Sequence, residues 1–207
     1  MMNPKEMWNK RYSEEAYAYG TDPNEFLKET LPKLPVKGEI LFVAEGEGRN
    51  AVFAAAHGWS VHAFDISEAG RAKAIALSKE KNVTISYNLG TLEDQAYPPE
   101  SFNAIVLIYA HFPSTIRAKT HTALVNLLKK GGHLLLEGFS KRQITLQKEH
   151  PSSGGPKDIE MLFDVASIQA DFKELHPVLI ENRDTILKEG KYHDGKASVI
   201  RFIGKKH

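Results

Sequence analysis

Gly46 and Gly48 stand two residues apart directly after an apolar run, Ile40 to Ala44, and Asp65 follows 19 residues after Gly46 at the end of a second apolar run. These residue types at this spacing suit a nucleotide-like ligand. Glycine has no Cβ to hold a ligand off the backbone, and the turn leads into an alanine-rich helix near Arg49, whose N-terminal N–H groups are free to receive it. A carboxylate at the tip of the second strand can accept both hydroxyl protons of a ribose. The stretch from Ile40 to Asp65 therefore reads as the opening of a Rossmann-type βαβ unit that binds a ribose-bearing cofactor.

Two cofactors suit that opening, a nicotinamide dinucleotide and S-adenosylmethionine. Gly46-x-Gly48-x-x-Ala51 fits the dinucleotide fingerprint in its Gly/Ala form, and Tyr192 and Lys196 have the Tyr-x-x-x-Lys spacing of short-chain dehydrogenases. That pair would have to share a helix face one turn apart, and Gly195 in a polar connector argues against a helix there. A third reading is a protein that binds the cofactor without catalysis. Other chemistries lack their residues: there is no Walker Gly-Lys-Ser/Thr, no Gly-x-Ser-x-Gly and no His-Glu-x-x-His. The nine histidines are scattered, so no metal site is expected, and the absence of cysteine excludes disulfides, zinc–cysteine sites and a thiolate nucleophile. The histidine best placed to act as a base is His111, two residues past Tyr109, at the strand edge where ligands of open α/β sheets bind. Its competing role is to cap the next helix beside Pro113 and Ser114.

The elements that must position these residues follow from periodicity and punctuation. Strands are expected over 40–44, 60–65, 83–88, 102–109 and 133–138. Helices are expected over 50–57, closed by Gly58, over 68–81 with Ser67 as N-cap, and over 114–128, ending in Lys129-Lys-Gly-Gly132 with Gly131 as a left-handed cap. Upstream, a short helix over 4–12 precedes the aromatic loop Tyr17 to Pro23, and a helix over 23–31 takes Asp22 as N-cap. The loop either caps the sheet edge or brings Tyr19 over the cofactor as part of a lid. Downstream, 148–156 reads as an irregular excursion rich in Pro, Ser and Gly, and 157–171 as one helix. Two last strands, near 173–183 and 196–203, are joined by a short polar connector and so are most easily antiparallel.

Four ordered blocks resemble class I S-adenosylmethionine-dependent methyltransferases: Ile40-Leu-Phe-Val-Ala-Glu-Gly-Glu-Gly-Arg-Asn50, Phe64-Asp-Ile-Ser67, Ser101-Phe-Asn-Ala-Ile-Val106 and Leu127-Leu-Lys-Lys-Gly-Gly-His-Leu-Leu-Leu-Glu-Gly-Phe139. With Trp8-Asn-Lys-Arg-Tyr12 and Tyr19-Gly-Thr-Asp-Pro23, the resemblance is to the branch of tellurite-resistance (TehB-type) and thiopurine methyltransferases, over roughly residues 7 to 205. It implies an α/β, doubly wound seven-stranded sheet of order 3-2-1-4-5-7-6 with strand 7 antiparallel, and S-adenosylmethionine as cofactor. By the same resemblance Gly46 and Gly48, with the neighbouring Glu47 and Asn50, form the methionine end of the cofactor site. Asp65 holds the ribose, Ile66, Asn88 and Leu89 the adenine, and Tyr109 lies under the sulfonium. The chain departs from the family pattern where Phe42 replaces an acid within strand 1 and Ala44 replaces the first glycine, so Glu45 is expected to supply the carboxylate for the cofactor's ammonium group. The motif Asn/Asp-Pro-Pro-Tyr/Phe is missing after strand 4, where Tyr109-Ala-His-Phe112 stands, which argues against amino groups of bases or glutamine as acceptors.

Composition bounds the rest. At 207 residues, 42% hydrophobic, the chain fits a single domain, with 1–35 as a helical cap or lid and 36–207 as the Rossmann-like core. Lys and Arg number 27 against 26 Asp and Glu, so no net field draws it to nucleic acid or an anionic membrane. A small-molecule partner, a cytoplasmic location and a monomer or weak dimer are expected.

Overall fold

Apolar runs without alternation make strands buried on both faces, and these runs build the centre of a seven-stranded sheet. The computed structural model describes residues 3–207. Its strands are β1 (Glu39–Val43), β2 (Ser60–Asp65), β3 (Ser86–Leu89), β4 (Phe102–Ile108), β5 (Leu128–Phe139), β6 (Leu175–Lys188) and β7 (Asp194–Lys206), in the order β3-β2-β1-β4-β5-β7-β6. Strand β7 runs antiparallel to both β5 and β6, and the other neighbours are parallel, as the resemblance implies. Because β1 pairs with β2 on one side and β4 on the other, the winding reverses there. A crevice opens beyond the carboxyl ends of β1 and β4.

The period of two along β1 assigns its side chains to two cores. Ile40 and Phe42 pack with the helices α2 (Glu25–Thr30), α3 (Arg49–Ala56) and α4 (Glu68–Glu80) through Leu27, Ala51, Ala54, Ala74 and Leu77. Leu41 and Val43 face the opposite core, where Leu124 and Val125 of α5 (Ser114–Leu127) meet Ile168 of α7 (Val165–Asp171) and Phe172. Helix α1 (Pro4–Tyr12) lies on α4: Asn9 Oδ1 accepts from Ser67 Oγ at 2.7 Å and from Ala69 N at 3.2 Å, closing the helix start that Ser67 itself caps.

Several boundaries differ from expectation for local reasons. Helix α2 begins at Glu25 with Asn24 as N-cap, its Oδ1 accepting from Leu27 N at 3.1 Å, so Asp22 and Pro23 lie outside it. Lys129 to Gly132 do not cap α5 but open β5. Leu128 pairs with Phe102, His133 pairs with Ala104, and the register shift between those pairs is absorbed where Gly131 takes φ +78°. The helix expected over 157–171 is interrupted. A 3₁₀ turn spans Ile159–Met161, Phe163 bridges to Ser140, and α7 starts afresh behind the reciprocal Asp164–Ser167 cap. Part of the stretch after β5 is ordered as α6 (Gln143–Glu149) and a turn over Pro151–Ser153. Among the described residues, no helix is long and apolar enough to cross a membrane.

Candidate active site

The glycine turn after β1 is set by backbone that only small residues enter cheaply. Ala44, Gly46 and Gly48 have φ of +53°, +62° and +84°, so Ala44 adopts the left-handed conformation that the family's glycine would take, at a cost of about 1 kcal/mol. Gly48 leaves α3 without a side-chain cap, and Glu45 reaches forward instead. Its Oε1 accepts from Asn50 N at 2.9 Å and Ala51 N at 2.8 Å. Burial raises this carboxyl to about 7, against the pull of those N–H groups and Arg49. Asp65 joins the turn to β2: Oδ2 accepts from Gly46 N at 3.0 Å and Oδ1 from Ser67 N at 2.8 Å. Burial raises it to about 6 despite these bonds. A carboxylate offers about four acceptor positions, so these bonds leave room for a hydroxyl donor. Gly46 is also required from above, since a Cβ there would lie 2.6 Å from Tyr12 Oη. From the side, Tyr87 Oη donates to Gly46 O at 2.6 Å.

The remaining expected residues fall into three groups. Ile66, Asn88 and Leu89 gather at the ends of β2 and β3, where Asp65 pairs with Leu89, 40% exposed, and Asn88 donates to Gln95 Oε1 at 3.1 Å. Glu47 and Asn50 are committed to the protein itself. Glu47 accepts from Ala18 N at 2.8 Å and pairs with Lys73 at 2.9 Å, while Asn50 Oδ1 accepts from Asn24 N at 2.9 Å, so both fasten the N-terminal segment to the turn. Tyr19 in that segment accepts from Arg11 at 2.8 Å and brings its ring within 4.4 Å of His193.

Tyr109, in the left-handed region at φ +54°, belongs to a polar cluster assembled from distant parts of the chain. Its hydroxyl donates to Glu137 Oε1 at 3.0 Å. Glu137, only 1% exposed, pairs with Arg201 and accepts from Asn24 Nδ2 at 2.6 Å. Asn24 Nδ2 also donates to Glu189 Oε1 at 2.9 Å, and Glu189 Oε2 pairs with Arg49 at 2.7 Å. His193 stands beside Glu189 between the rings of Tyr19, Tyr109 and Phe139. Sequence reading missed Asn24, Arg49, Glu137, Glu189, His193 and Arg201. One signal was present, an acid and an arginine inside the apolar runs Leu134-Leu-Leu-Glu137 and Val199-Ile-Arg201-Phe202.

His111 does not have the freedom a base needs. Its Nδ1 donates to Met161 O at 2.8 Å and its Nε2 accepts from Phe139 N at 3.0 Å, so the ring's one lone pair is occupied. Stacked on Phe163 at 4.5 Å and lowered by burial to about 4, it is a neutral strut joining β4, β5 and the segment before α7. Tyr192 and Lys196 likewise lie in a turn and a strand, and Tyr192 donates to Glu14 at 2.7 Å, so they do not form a dehydrogenase pair.

Residues 40–132 match the family model of a methyltransferase domain. That match and the fold agree with the resemblance to class I S-adenosylmethionine-dependent methyltransferases. No curated protein matches the chain significantly by sequence. Among solved structures, the methyltransferase fold is shared with a protein described by the conversion of a disulfide bond into a thioacetal group during echinomycin biosynthesis. The two are 13% identical, with a TM-score of 0.79, over 99% of this chain and 92% of that one. TehB from Haemophilus influenzae is 15% identical, with a TM-score of 0.70, over 98% of this chain and 67% of its own. Magnesium protoporphyrin IX methyltransferase from Synechocystis, solved with bound S-adenosylhomocysteine, is 14% identical, with a TM-score of 0.67, over 88% of this chain and 80% of that one. The methyltransferase cofactor is S-adenosylmethionine. The turn fits it: left-handed glycines bring backbone close, and the buried carboxylate of Asp65 and the half-buried one of Glu45 flank them at the carboxyl ends of β1 and β2.

Asp65 makes the stability of the ligand-free domain depend on pH in an unusual sense. Its folded-state value, about 6, lies above the ordinary 3.8, so the folded chain holds a proton that the unfolded chain has released. Stability from this group is full below about 4 and falls as pH rises through about 6. Asp65→Asn is therefore expected to gain on the wild type between pH 4.5 and 7 in urea unfolding, and a difference that does not change with pH would refute the assignment.

Proposed function

We propose that this chain transfers a methyl group from S-adenosylmethionine to a small molecule whose reacting atom is a soft sulfur, selenium or tellurium centre. The cofactor, when bound, supplies the methyl carbon as an electrophile on a sulfonium sulfur. The observation that carries the reading is the left-handed turn of Gly46 and Gly48 after β1, bonded to Asp65 at the end of β2 and flanked by Glu45, with Tyr109 directly after β4. In this reading Gly46 and Gly48 receive the methionine end, Glu45 Oε2 takes the ammonium group, Asp65 the ribose, and Ile66, Asn88 and Leu89 the adenine. Tyr109 lies under the sulfonium and Tyr19 closes over it. Methyl transfer gains chiefly from holding nucleophile, carbon and sulfur in line away from water, which a fastened N-terminal segment serves. A soft acceptor is supported by the missing Asn/Asp-Pro-Pro-Tyr/Phe motif and by the echinomycin neighbour, whose described chemistry is at a disulfide.

Calorimetry with S-adenosylhomocysteine and with NADH, followed by labelled-methyl transfer to a panel of thiols, selenols and phenols, tests the reading. Binding of NADH alone would overturn it. Glu45 adds a sharper expectation. An ammonium group near Oε2 lowers a carboxyl that stands at about 7, so S-adenosylhomocysteine binding at pH 6.5 should release protons, seen as a dependence of the binding heat on the buffer's ionisation enthalpy. Heats independent of buffer would remove Glu45 from the ammonium site.

A further inference from the structure

His193 has a position that the binding of the cofactor leaves unexplained. It is 5% exposed and lies in the turn between β6 and β7, which the antiparallel placement of β7 brings to the carboxyl edge of the parallel strands. Its ring centroid is 4.4 Å from that of Tyr109, the residue at the end of β4. Nδ1 faces Glu189 Oε2 at 3.6 Å, is sealed from solvent and has no hydrogen-bond partner. Nε2 finds no hydrogen-bond partner among the described residues and is not sealed. Gly154 packs against this edge of the ring, where a Cβ would lie 2.8 Å from Cδ2 and 3.3 Å from Nε2, so only a glycine leaves Nε2 uncovered there. Gly154 is itself held from behind, its carbonyl accepting from Gln143 Nε2 at 2.9 Å.

We propose that His193 takes the proton from the methyl acceptor, with Glu189 orienting the imidazole and balancing the charge it acquires. The inference rests on the methyltransferase reading and narrows its substrate class to acceptors that arrive protonated, a thiol or selenol rather than a free anion. The acceptor's S–H or Se–H bond breaks heterolytically, the proton goes to Nε2, and the electron pair left on the acceptor atom forms the bond to the methyl carbon. The pair of the broken carbon–sulfonium bond returns to sulfur, and the positive charge ends on the imidazolium beside Glu189. A neutral imidazole with Nδ1–H toward a carboxylate and a bare Nε2 is the form a base requires.

The surrounding charges favour that form. Burial lowers His193, Glu189 raises it, and Arg49 and Arg11 lower it again, so the resting ring is neutral. Tyr19 and Tyr109, protonated at neutral pH because burial raises both, complete the groups facing it, with His111 beyond. Glu189 stays ionised, since His193 and Arg49 outweigh its burial and hold it at about 2.

The test begins with nitrogen-15 NMR of the histidine rings in the full chain with S-adenosylhomocysteine, His193 being assigned by its loss in His193→Gln. The expected result is a proton on Nδ1, a bare Nε2, and a His193 pKa that falls by about one unit or more in Glu189→Gln. A proton on Nε2, or a pKa unmoved by Glu189→Gln, would overturn the proposal. With labelled S-adenosylmethionine at pH 7, His193→Gln should lower transfer to 2-mercaptoethanol, protonated at that pH, about 100-fold or more, and transfer to 4-nitrothiophenol, ionised at that pH, at least tenfold less. Equal losses would also overturn it, and if neither thiol is methylated the NMR result decides. Absence of S-adenosylhomocysteine binding to the wild type would instead break the methyltransferase reading, while unchanged binding to His193→Gln shows that the cofactor site survives the substitution.

Discussion

Glu137→Leu is expected to lower the unfolding free energy by about 3–5 kcal/mol, the scale for removing one partner of a buried ion pair. Glu137 and Arg201 are both almost fully buried on neighbouring strands, directly across the β5–β7 ladder. Leucine would leave the guanidinium without its carboxylate, and would also strip an acceptor from the Asn24 amide and the Tyr109 hydroxyl. Urea unfolding at pH 7 measures the loss. Because most of the cost is the orphaned charge, the double substitution with Arg201→Leu should recover a substantial share of it. A single-mutant loss below about 1 kcal/mol would show that the cluster rearranges around Arg201 and that the pair does not hold the site.

The second large effect is expected at Gly48, from two causes that can be separated. With φ at +84° any side chain is strained, and a Cβ there would lie 2.5 Å from Ala74 Cβ and 2.8 Å from Ala74 Cα, so α4 itself would have to move. Gly48→Ala should cost about 2–4 kcal/mol, the sum of a left-handed alanine and an overpacked contact. Adding Ala74→Gly should relieve part of the overpacking and none of the backbone strain. If the double mutant is no more stable than Gly48→Ala once the intrinsic cost of a glycine in α4, about 1 kcal/mol, is allowed for, the contact with Ala74 is not what forbids a side chain. The same substitution shifts the N-terminus of α3, so weaker S-adenosylhomocysteine binding is expected to accompany the lost stability.

The glycine turn and the carboxylate bonded to it were legible because they are local. Gly46, Gly48, Asp65 and Ser67 lie within one βαβ unit, where strand, turn and cap each leave a signature in residue type and spacing, and only boundaries shifted by a residue or two. Where expectation failed, a distant contact outweighed the local signal. Asn24 displaced Asp22 as the cap of α2 because its amide is drawn to Glu137 and Glu189, 113 and 165 residues away in sequence. Lys129 to Gly132 resembled a helix ending, but Leu128 already finds Phe102 across the sheet. His111 looked like a base from its position at the end of β4. Its role as a strut came from the carbonyl of Met161 and the N–H of Phe139, which no spacing announces.

The sequence by itself determined the fold class, the order and polarity of the strands through family resemblance, and the left-handed glycine turn after β1, because these rest on periodicity and on glycine's freedom at positive φ. The tertiary structure alone decided the other wall of the crevice. Asn24, Arg49, Tyr109, Glu137 and Arg201 lie far apart in the sequence, and they meet Glu189 and His193 of the β6–β7 turn only when antiparallel β7 returns along β5, bringing its leading turn to the carboxyl edge of the sheet. Each of these side chains would be costly to bury alone. Their mutual pairing makes burial tolerable, and pairing across that many elements is a property of the folded chain that local sequence does not encode.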